Sequence, residues 1–260
     1  MPKLPVQYRF LDLSDYGRPL AIRIAKALQH TRLTPIHVTL GFVLAGLLGI
    51  YCILNQFYLG AVFFLILKSI LDAADGELAR LKNRPSYTGR FLDSVSDIIL
   101  NLLIVLSIWY VTDGSVWLAI LAFIGLELQG TLYNYYYAIL RNRHQGDTTS
   151  RIFETEIPTA HEGEAQKHVN LLFRLYQICY GGFDKIIYAL DSKASTARHI
   201  PNWLMTAVST FGLGFQLLLI GLMLVVGLDV YILPFFLSYS TFILVFIGLR
   251  RLINRENLLP

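Results

Sequence analysis

Four aspartates, Asp72, Asp75, Asp93 and Asp97, lie within otherwise apolar segments of this chain. Charged side chains are costly in such segments, so we interpret these four as a functional site. Spacings of three and four residues place each pair on one side of its own helix. Two neighbouring helices are therefore expected to present two carboxylates each to a shared volume.

The chemistry expected of four such carboxylates is the binding of divalent cations, because carboxylates that converge without compensation repel one another. Ligation by oxygen alone, with no nearby His or Cys, favours Mg²⁺ or Mn²⁺ over zinc. Two such ions, about 3.5–4 Å apart, clamp a phosphoryl group between attacking and leaving oxygens. Gly76, Ala79 and Gly89 leave room for a ligand, and Arg80 offers a planar cationic donor to a diphosphate.

The elements that must position these residues are predicted from composition. The chain has 260 residues, of which 55% are hydrophobic and only 15% are charged, and its mean hydropathy is +0.52. These values are typical of a membrane protein that crosses the bilayer several times, and they argue against a soluble domain. Apolar runs of about 20 residues cross the bilayer as helices. Six are predicted, at residues 33–54, 57–81, 91–112, 115–140, 202–228 and 230–249.

The basic residues indicate how this all-α integral membrane fold is oriented. All 22 Lys and Arg except Lys68 fall within residues 1–32, 80–90, 141–198 or 250–255. By the positive-inside rule, both termini and the longer loops face the cytoplasm, and the plasma (inner) membrane is the expected location. This bias and contact with anionic membrane lipids explain the net charge of +4, so no nucleic-acid partner is expected.

The chain is predicted to have four parts. They are a cytoplasmic leader at 1–32, the first four spans with the aspartates at 33–140, a cytoplasmic insertion at 141–201, and the last two spans with a basic tail at 202–260.

Two helices are predicted outside the spans. Residues 14–31 have the mixed polar and apolar pattern of an interfacial amphipathic helix, with Ser14 as its cap. In the insertion, residues 168–180 are predicted to form a surface-lying helix that ends at the glycine pair 181–182.

Further polar residues near the end of the fourth predicted span are candidates for binding an acceptor. Glu127 lies deep in the span. Residues 133–137, four of which are tyrosines, are interpreted as an interfacial aromatic belt, with an aromatic box for a cationic amine as the alternative. Arg141 and Arg143 would bind an acceptor phosphate, or would only contribute to the positive-inside charge.

The aspartates belong to a longer pattern, D-x2-D-G-x2-A-R-x8-G-x3-D-x3-D, which spans residues 72–97. This pattern is similar to the signature of the CDP-alcohol phosphotransferase family, and the six-span layout extends the resemblance over most of the chain. Residues 33–39 are also similar to the start of the family's first span, although Ile36 stands where Asn is common.

The resemblance implies a reaction and a role for each residue of the pattern. A CDP-linked donor is bound through its diphosphate on two metal ions, an acceptor hydroxyl attacks the phosphorus distal to the cytidine, and CMP leaves. Asp72, Asp75 and Asp93 would be metal ligands, and Asp97 would be the general base and also touch a metal. The residues implied for the CDP moiety are Gly76, Ala79, Arg80 and Gly89. A homodimer is compatible with this family.

Three functional hypotheses stay open at this point. The first is transfer of a phosphatidyl group from CDP-diacylglycerol to a small polar alcohol in phospholipid biosynthesis, which the size of the chain favours by analogy. The second is transfer of a CDP-choline or CDP-ethanolamine headgroup to a lipid hydroxyl. The third is an ion or proton transporter that uses the aspartates as its pathway. A structural set of ion pairs is disfavoured, because only Lys68, expected to pair with Asp72, and Arg80 lie close in sequence.

Overall fold

The computed structural model describes residues 4–144, 156–197 and 199–256, and these residues form helices and short turns without strands. In the first half of the chain the helices are α1 (Arg18–Leu28), α2 (Pro35–Leu54), α3 (Tyr58–Leu81), α4 (Tyr87–Thr112) and α5 (Val116–Arg143). In the second half they are α6 (Gln166–Asp191), α7 (Asn202–Val208), α8 (Leu213–Val225), α9 (Asp229–Tyr239) and α10 (Phe242–Glu256).

Helices lie at all six positions where spans are predicted, and the all-helical membrane architecture is confirmed in that coarse form. Among the described residues, α2, α4, α5 and the stretch Asp229–Asn254 are long and apolar enough to cross a membrane. Helices α7 and α8 make a fifth span if this pair, bent by 53°, is taken as one. Helix α3, at the second predicted span, has 24 residues. It carries several charged residues, so its crossing of the membrane, and with it the total of six spans, stays a prediction.

Helix α2 holds the two aspartate-bearing helices in place, because it packs against both α3 and α4. Phe42, Leu65 and Leu100 are buried in the core that these three helices share with α5, α8 and α9. Gly46 lets α2 and α4 approach closely, since a Cβ atom there would lie 2.8 Å from the Leu100 side chain. The C-terminal half of α3 and the N-terminal half of α4 therefore lie on the same side of the molecule.

The leader helix begins later than predicted, and its position at the membrane interface stays a prediction. Helix α1 begins at Arg18, with a proline in its first turn, which favours a helix start. Ser14 is not its cap; it lies in a 3₁₀ turn, and its backbone N–H donates to the Asp12 carboxylate. Ala21 and Ala25 are buried against α3, so α1 packs against the protein through a face of small side chains.

The prediction that a helix ends at the glycine pair is wrong, because α6 continues through Gly181 and Gly182 to Asp191. Each glycine costs about 1 kcal/mol relative to alanine inside a helix. Burial on both sides of the pair offsets this cost: Val169 and Phe173 pack with Phe91 of α4, and Ile187 packs in the cluster that includes α5. The segment 145–155 of the predicted insertion lies outside the described residues, and the division into four parts stays a prediction.

Candidate active site

Helices α3 and α4 bring the four aspartates to one cavity of about 410 Å³. Carboxylate oxygens of Asp72, Asp75 and Asp93 all lie within 4.8 Å of one another. The helical spacing explains this, because Asp72 and Asp75 share a face of α3 while Asp93 lies in the second turn of α4. These three oxygens are close enough to share a bound cation.

The contacts of the three carboxylates fit a metal ion. Thr39 of α2 donates from Oγ1 to Oδ2 of Asp75 at 2.6 Å, which orients that carboxylate. Oδ1 of Asp93 is buried without a hydrogen-bond partner in the structure. A buried oxygen without a partner is destabilising, so it calls for a ligand. Carboxylate oxygens are the donors that Mg²⁺ and Mn²⁺ prefer.

Asp97 lines the same cavity but has a different neighbour. Lys68 of α3 donates from Nζ to Asp97 Oδ1 at 2.6 Å, and its side chain is fully buried. The ammonium group also lies 5.1 Å from the ring centre of Phe42. The predicted direct partner of Lys68, Asp72 on the same helix, is therefore wrong: the lysine reaches across to α4, whereas Asp72 belongs to the cluster of three. The residues grouped at metal-binding spacing do not include Asp97.

A second cavity, of about 320 Å³, is lined by all four residues that the sequence pattern assigns to the CDP moiety, Gly76, Ala79, Arg80 and Gly89. We call it the donor cavity, and we call the larger one the acceptor cavity. Both are lined by Asp75, Gly76, Arg80, Arg90 and Asp93.

A charge network holds Arg80 in place at the donor cavity. Glu77 lies 3.1 Å from the Arg80 guanidinium and also binds Arg18 of α1, which in turn binds Asp15. The position of Glu77, three residues before Arg80 on one helix, is the signal from which the sequence could have predicted this pair.

The acceptor cavity continues past Asp97 into a polar compartment. Asn101 of α4 donates to Glu127 of α5 at 3.0 Å, and Glu127 is only 5% exposed. Thr131, one turn further along α5, is 6% exposed, and its hydroxyl has no partner in the structure. The leader contributes Asp12 to this cavity, and α6 contributes further residues including Tyr180 and Asp184.

The tyrosines of α5 do not form an interfacial belt, so that interpretation is wrong. Tyr133, Tyr135, Tyr136 and Tyr137 are each at most 9% exposed. The leader, α6, α7 and α10 enclose this half of α5, and the hydroxyls find protein partners such as Asp12 for Tyr133 and Asp191 for Tyr136. Three of the four rings, those of Tyr133, Tyr135 and Tyr137, line the acceptor cavity.

The two arginines predicted to bind an acceptor separate in the structure. Arg141 lines the acceptor cavity, and its guanidinium lies 4.9 Å from the ring centre of Tyr137. Arg143 instead donates to the backbone oxygen of Ala197 and is not among the residues that line the cavity. The contact with Ala197 ties the end of α5 to the turn after α6.

Other residues at the site were not found from the sequence, because their partners lie far away along the chain. Thr39 is 36 residues from Asp75, and Tyr180 donates to the backbone oxygen of Ser94, 86 residues away. His161 lines the donor cavity from the segment before α6. Of these residues, only Thr39 lay in a segment that the sequence pattern had marked.

The fold and the site define an integral membrane protein in which carboxylates from two adjacent helices line a buried polar cavity. A family model described as CDP-alcohol phosphatidyltransferase matches residues 31–155, and these residues are similar to that family. The match confirms the resemblance found in the sequence. The matched family is a transferase family, and the match implies phospholipid headgroup transfer from a CDP-alcohol. No curated protein matches the chain.

Proposed function

We propose that the protein transfers a phosphatidyl group from CDP-diacylglycerol to a small polar alcohol and releases CMP, as a step of phospholipid biosynthesis. One observation carries this proposal: Asp75 and Asp93 line both the donor and the acceptor cavity, and Asp72, which lines the acceptor cavity, has a carboxylate oxygen within 4.8 Å of theirs. A group transferred between two substrates must be reached from both sides, and this arrangement supplies that access.

The donor would be bound at its diphosphate by the three aspartates and Arg80. Asp72, Asp75 and Asp93 would hold two divalent ions, Mg²⁺ or alternatively Mn²⁺, which when bound supply positive charge to the diphosphate. Thr39 keeps the Asp75 carboxylate in one orientation through its hydrogen bond. Arg80 would donate to the diphosphate oxygens, with Glu77 restricting its position.

Asp97 is proposed as the general base. A hydroxyl is a poor nucleophile until its proton has an acceptor, and the Asp97 carboxylate lines the acceptor cavity. Its Oδ1 is held by Lys68, so Oδ2 is the oxygen assigned to receive the proton. The acceptor oxygen then forms a bond to the distal phosphorus, and the bond from that phosphorus to the CMP oxygen breaks.

The acceptor alcohol is proposed to bind between Asp97 and the polar compartment around Glu127. Glu127 and Arg141 line this part of the cavity and would contact the acceptor. Arg143 is not included, because it contacts Ala197 instead.

A second candidate is headgroup transfer from a CDP-choline or CDP-ethanolamine type of donor to a lipid hydroxyl. The lining of the acceptor cavity favours it, because tyrosine rings and carboxylates such as Glu127 and Asp184 attract a cationic amine.

Release of CMP from purified protein decides between these reactions. Each donor, CDP-diacylglycerol, CDP-choline and CDP-ethanolamine, is incubated with a panel of alcohols and lipid acceptors in the presence of Mg²⁺. We expect CMP with CDP-diacylglycerol and a small alcohol. CMP only with a CDP-headgroup donor would favour the second candidate. Ion flux in proteoliposomes, without affinity for cytidine nucleotides, would replace both with a transporter.

The proposal includes a membrane topology. Helix α3 also crosses the membrane, which makes six spans in all. Both termini and residues 141–201 face the cytoplasm of the plasma (inner) membrane, and two copies form a homodimer. The exposed Lys167 and Asp113 fall on opposite sides in this topology. With Cys52 and Cys179 replaced by serine, an impermeant maleimide added outside intact cells should label Asp113→Cys and not Lys167→Cys. Equal labelling of both would contradict the topology, and crosslinking in native membranes tests the dimer.

A further inference from the structure

The donor cavity has one wall that comes from outside the family-matched residues. The match ends at residue 155, yet His161 lines this cavity together with Arg80, Tyr87 and Arg90. We call residues 158–166, which lead into α6, the flap. His161 is the flap residue that lines the cavity.

The flap has a defined local structure. The Gln166 side chain accepts from the Ala160 backbone N–H at 2.8 Å and donates to the Pro158 oxygen at 3.1 Å. Gly163 adopts a φ of +87°, a backbone conformation that side-chain-bearing residues rarely adopt. These features hold His161 in one position relative to the start of α6.

Glu164 attaches the flap to the first turn of α4. Its carboxylate accepts from the Ser86 hydroxyl at 2.7 Å and from the backbone N–H groups of Thr88 at 2.8 Å and Tyr87 at 3.2 Å. The same carboxylate accepts from the His161 backbone N–H at 3.1 Å. A carboxylate at a helix N-terminus is stabilised both by these N–H groups and by the helix dipole. Glu164 therefore links the backbone of His161 to the helix that carries Gly89 and Asp93.

The rings at this wall suit a planar ligand. His161 and Tyr87 stack with ring centres 4.6 Å apart and an angle of 2° between their planes. The Arg90 guanidinium lies 5.8 Å from the ring centre of Tyr87. Aromatic faces with a nearby guanidinium are the surfaces on which nucleobases stack in many proteins. Asp75, Arg80 and Asp93 of the same cavity serve the diphosphate, so the aromatic wall is left for the nucleoside.

We infer that His161 is part of the nucleotide-binding wall and contacts the base of a cytidine nucleotide, with Glu164 as the residue that positions it. This inference rests on the proposed function, because it assigns one end of the donor. It gives residues beyond the family match a role in holding the donor, separate from the chemistry at the aspartates.

The test is calorimetric binding of CDP and of inorganic diphosphate to the full-length protein in detergent with Mg²⁺. We expect His161→Ala to weaken CDP binding roughly tenfold, since loss of one stacking contact typically costs that factor or more. Binding of diphosphate, which has no base, should stay within twofold. His161→Phe keeps a ring and should stay within about threefold for CDP. His168→Ala is the matched control, because His168 is exposed on α6.

Turnover supplies a second readout. In His161→Ala and in Glu164→Gln we expect the KM for the CDP donor to rise severalfold while kcat stays within twofold. The control is Glu162→Gln, at an exposed flap position, and its kinetic constants should match those of the wild type. CDP binding to His161→Ala as tight as to the wild type would overturn the inference while leaving the proposed function standing. If His161→Ala does not fold, an unchanged KM in Glu164→Gln would overturn the positioning role. A wild-type protein that binds diphosphate but not CDP would overturn the proposed function itself.

Discussion

Replacing Asp97 by asparagine tests the proposed base and its ion pair with Lys68 in one experiment. The substitution removes the negative charge that lies 2.6 Å from the Lys68 ammonium, on a lysine that is fully buried. It also removes the group proposed to accept the proton of the acceptor alcohol. A second substitution, Lys68→Met, removes the unpaired cation, and the double variant therefore separates the structural role of the pair from the catalytic role of Asp97.

The burial of the pair sets the expected size of both effects. The Lys68 side chain is 0% exposed and that of Asp97 is 14% exposed, and breaking a buried pair by removing one partner costs about 3–5 kcal/mol. Asp72 and Asp93 also act on the charge of Lys68, so we expect the lower end of that range. At about 2–4 °C per kcal/mol for a chain of this size, the midpoint of thermal unfolding should fall by roughly 6–12 °C. Loss of a general base lowers turnover by about 10²–10⁴-fold.

Thermal unfolding in detergent and CMP release are measured for the wild type, both single variants and the double variant. Asp97→Asn should lose both stability and turnover. Lys68→Met/Asp97→Asn should regain at least half of the lost stability, because no buried cation is left without its partner, yet it should stay inactive. Turnover in Asp97→Asn at the wild-type rate would remove Asp97 from the chemistry. A double variant no more stable than Asp97→Asn would refute the argument from the ion pair.

Three further outcomes are expected. Thr39→Val should weaken Mg²⁺ activation of CMP release by about 10–100-fold, because Asp75 loses the donor that orients it, whereas the exposed Thr196→Val should not. Chelation of divalent ions by EDTA should stop CMP release and added Mg²⁺ should restore it; full activity in EDTA would exclude the metal role. Burial works to raise the pKa of Glu164, but hydrogen bonds from Ser86 and Thr88 lower it below its ordinary value. The ionised Glu164 carboxylate therefore stabilises the folded protein at neutral pH, and this stabilisation is lost as pH falls below about 4.3. The unfolding midpoints of wild type and Glu164→Gln should converge in acid. A difference between the midpoints that does not change with pH would contradict this.

The features that the sequence predicted well are those encoded by local periodicity. Asp72 and Asp75 converge with Asp93 because helical spacing places them on defined faces, and apolar runs locate the helices that carry them. Local periodicity also explains why the predicted direct partner of Lys68 is wrong. Asp72 lies four residues after Lys68, which is the spacing of an ion pair within one helix, but Lys68 instead contacts Asp97 on another helix.

The remaining features depend on packing between distant segments. Taken locally, the glycine pair in α6 predicts a helix end. The helix nevertheless continues, because Phe173 before the pair and Ile187 after it are both buried. Tyr136 reads locally as part of an interfacial belt, yet it is fully buried because the rest of the chain surrounds that half of α5. Glu164 contacts Ser86, Tyr87 and Thr88, from which it is separated by 76 to 78 positions along the chain. No local pattern predicts such contacts.

Helix α4 connects the residues that are proposed to take part in the reaction. Its first turn contacts Glu164 of the flap and contains Gly89, and the second turn carries Asp93. Asp97 and then Asn101, which binds Glu127, follow on the same helix. From residue 86 to residue 101 the helix rises only about 22 Å at 1.5 Å per residue. A shift of α4 along its axis would therefore move Tyr87 of the proposed nucleotide wall, the proposed metal ligand Asp93, the proposed base Asp97 and Asn101 together. Helices α2, α5, α6 and α9 pack against α4 on several sides, and under the proposed function this restraint would hold the donor phosphorus and the acceptor hydroxyl in a fixed relative position.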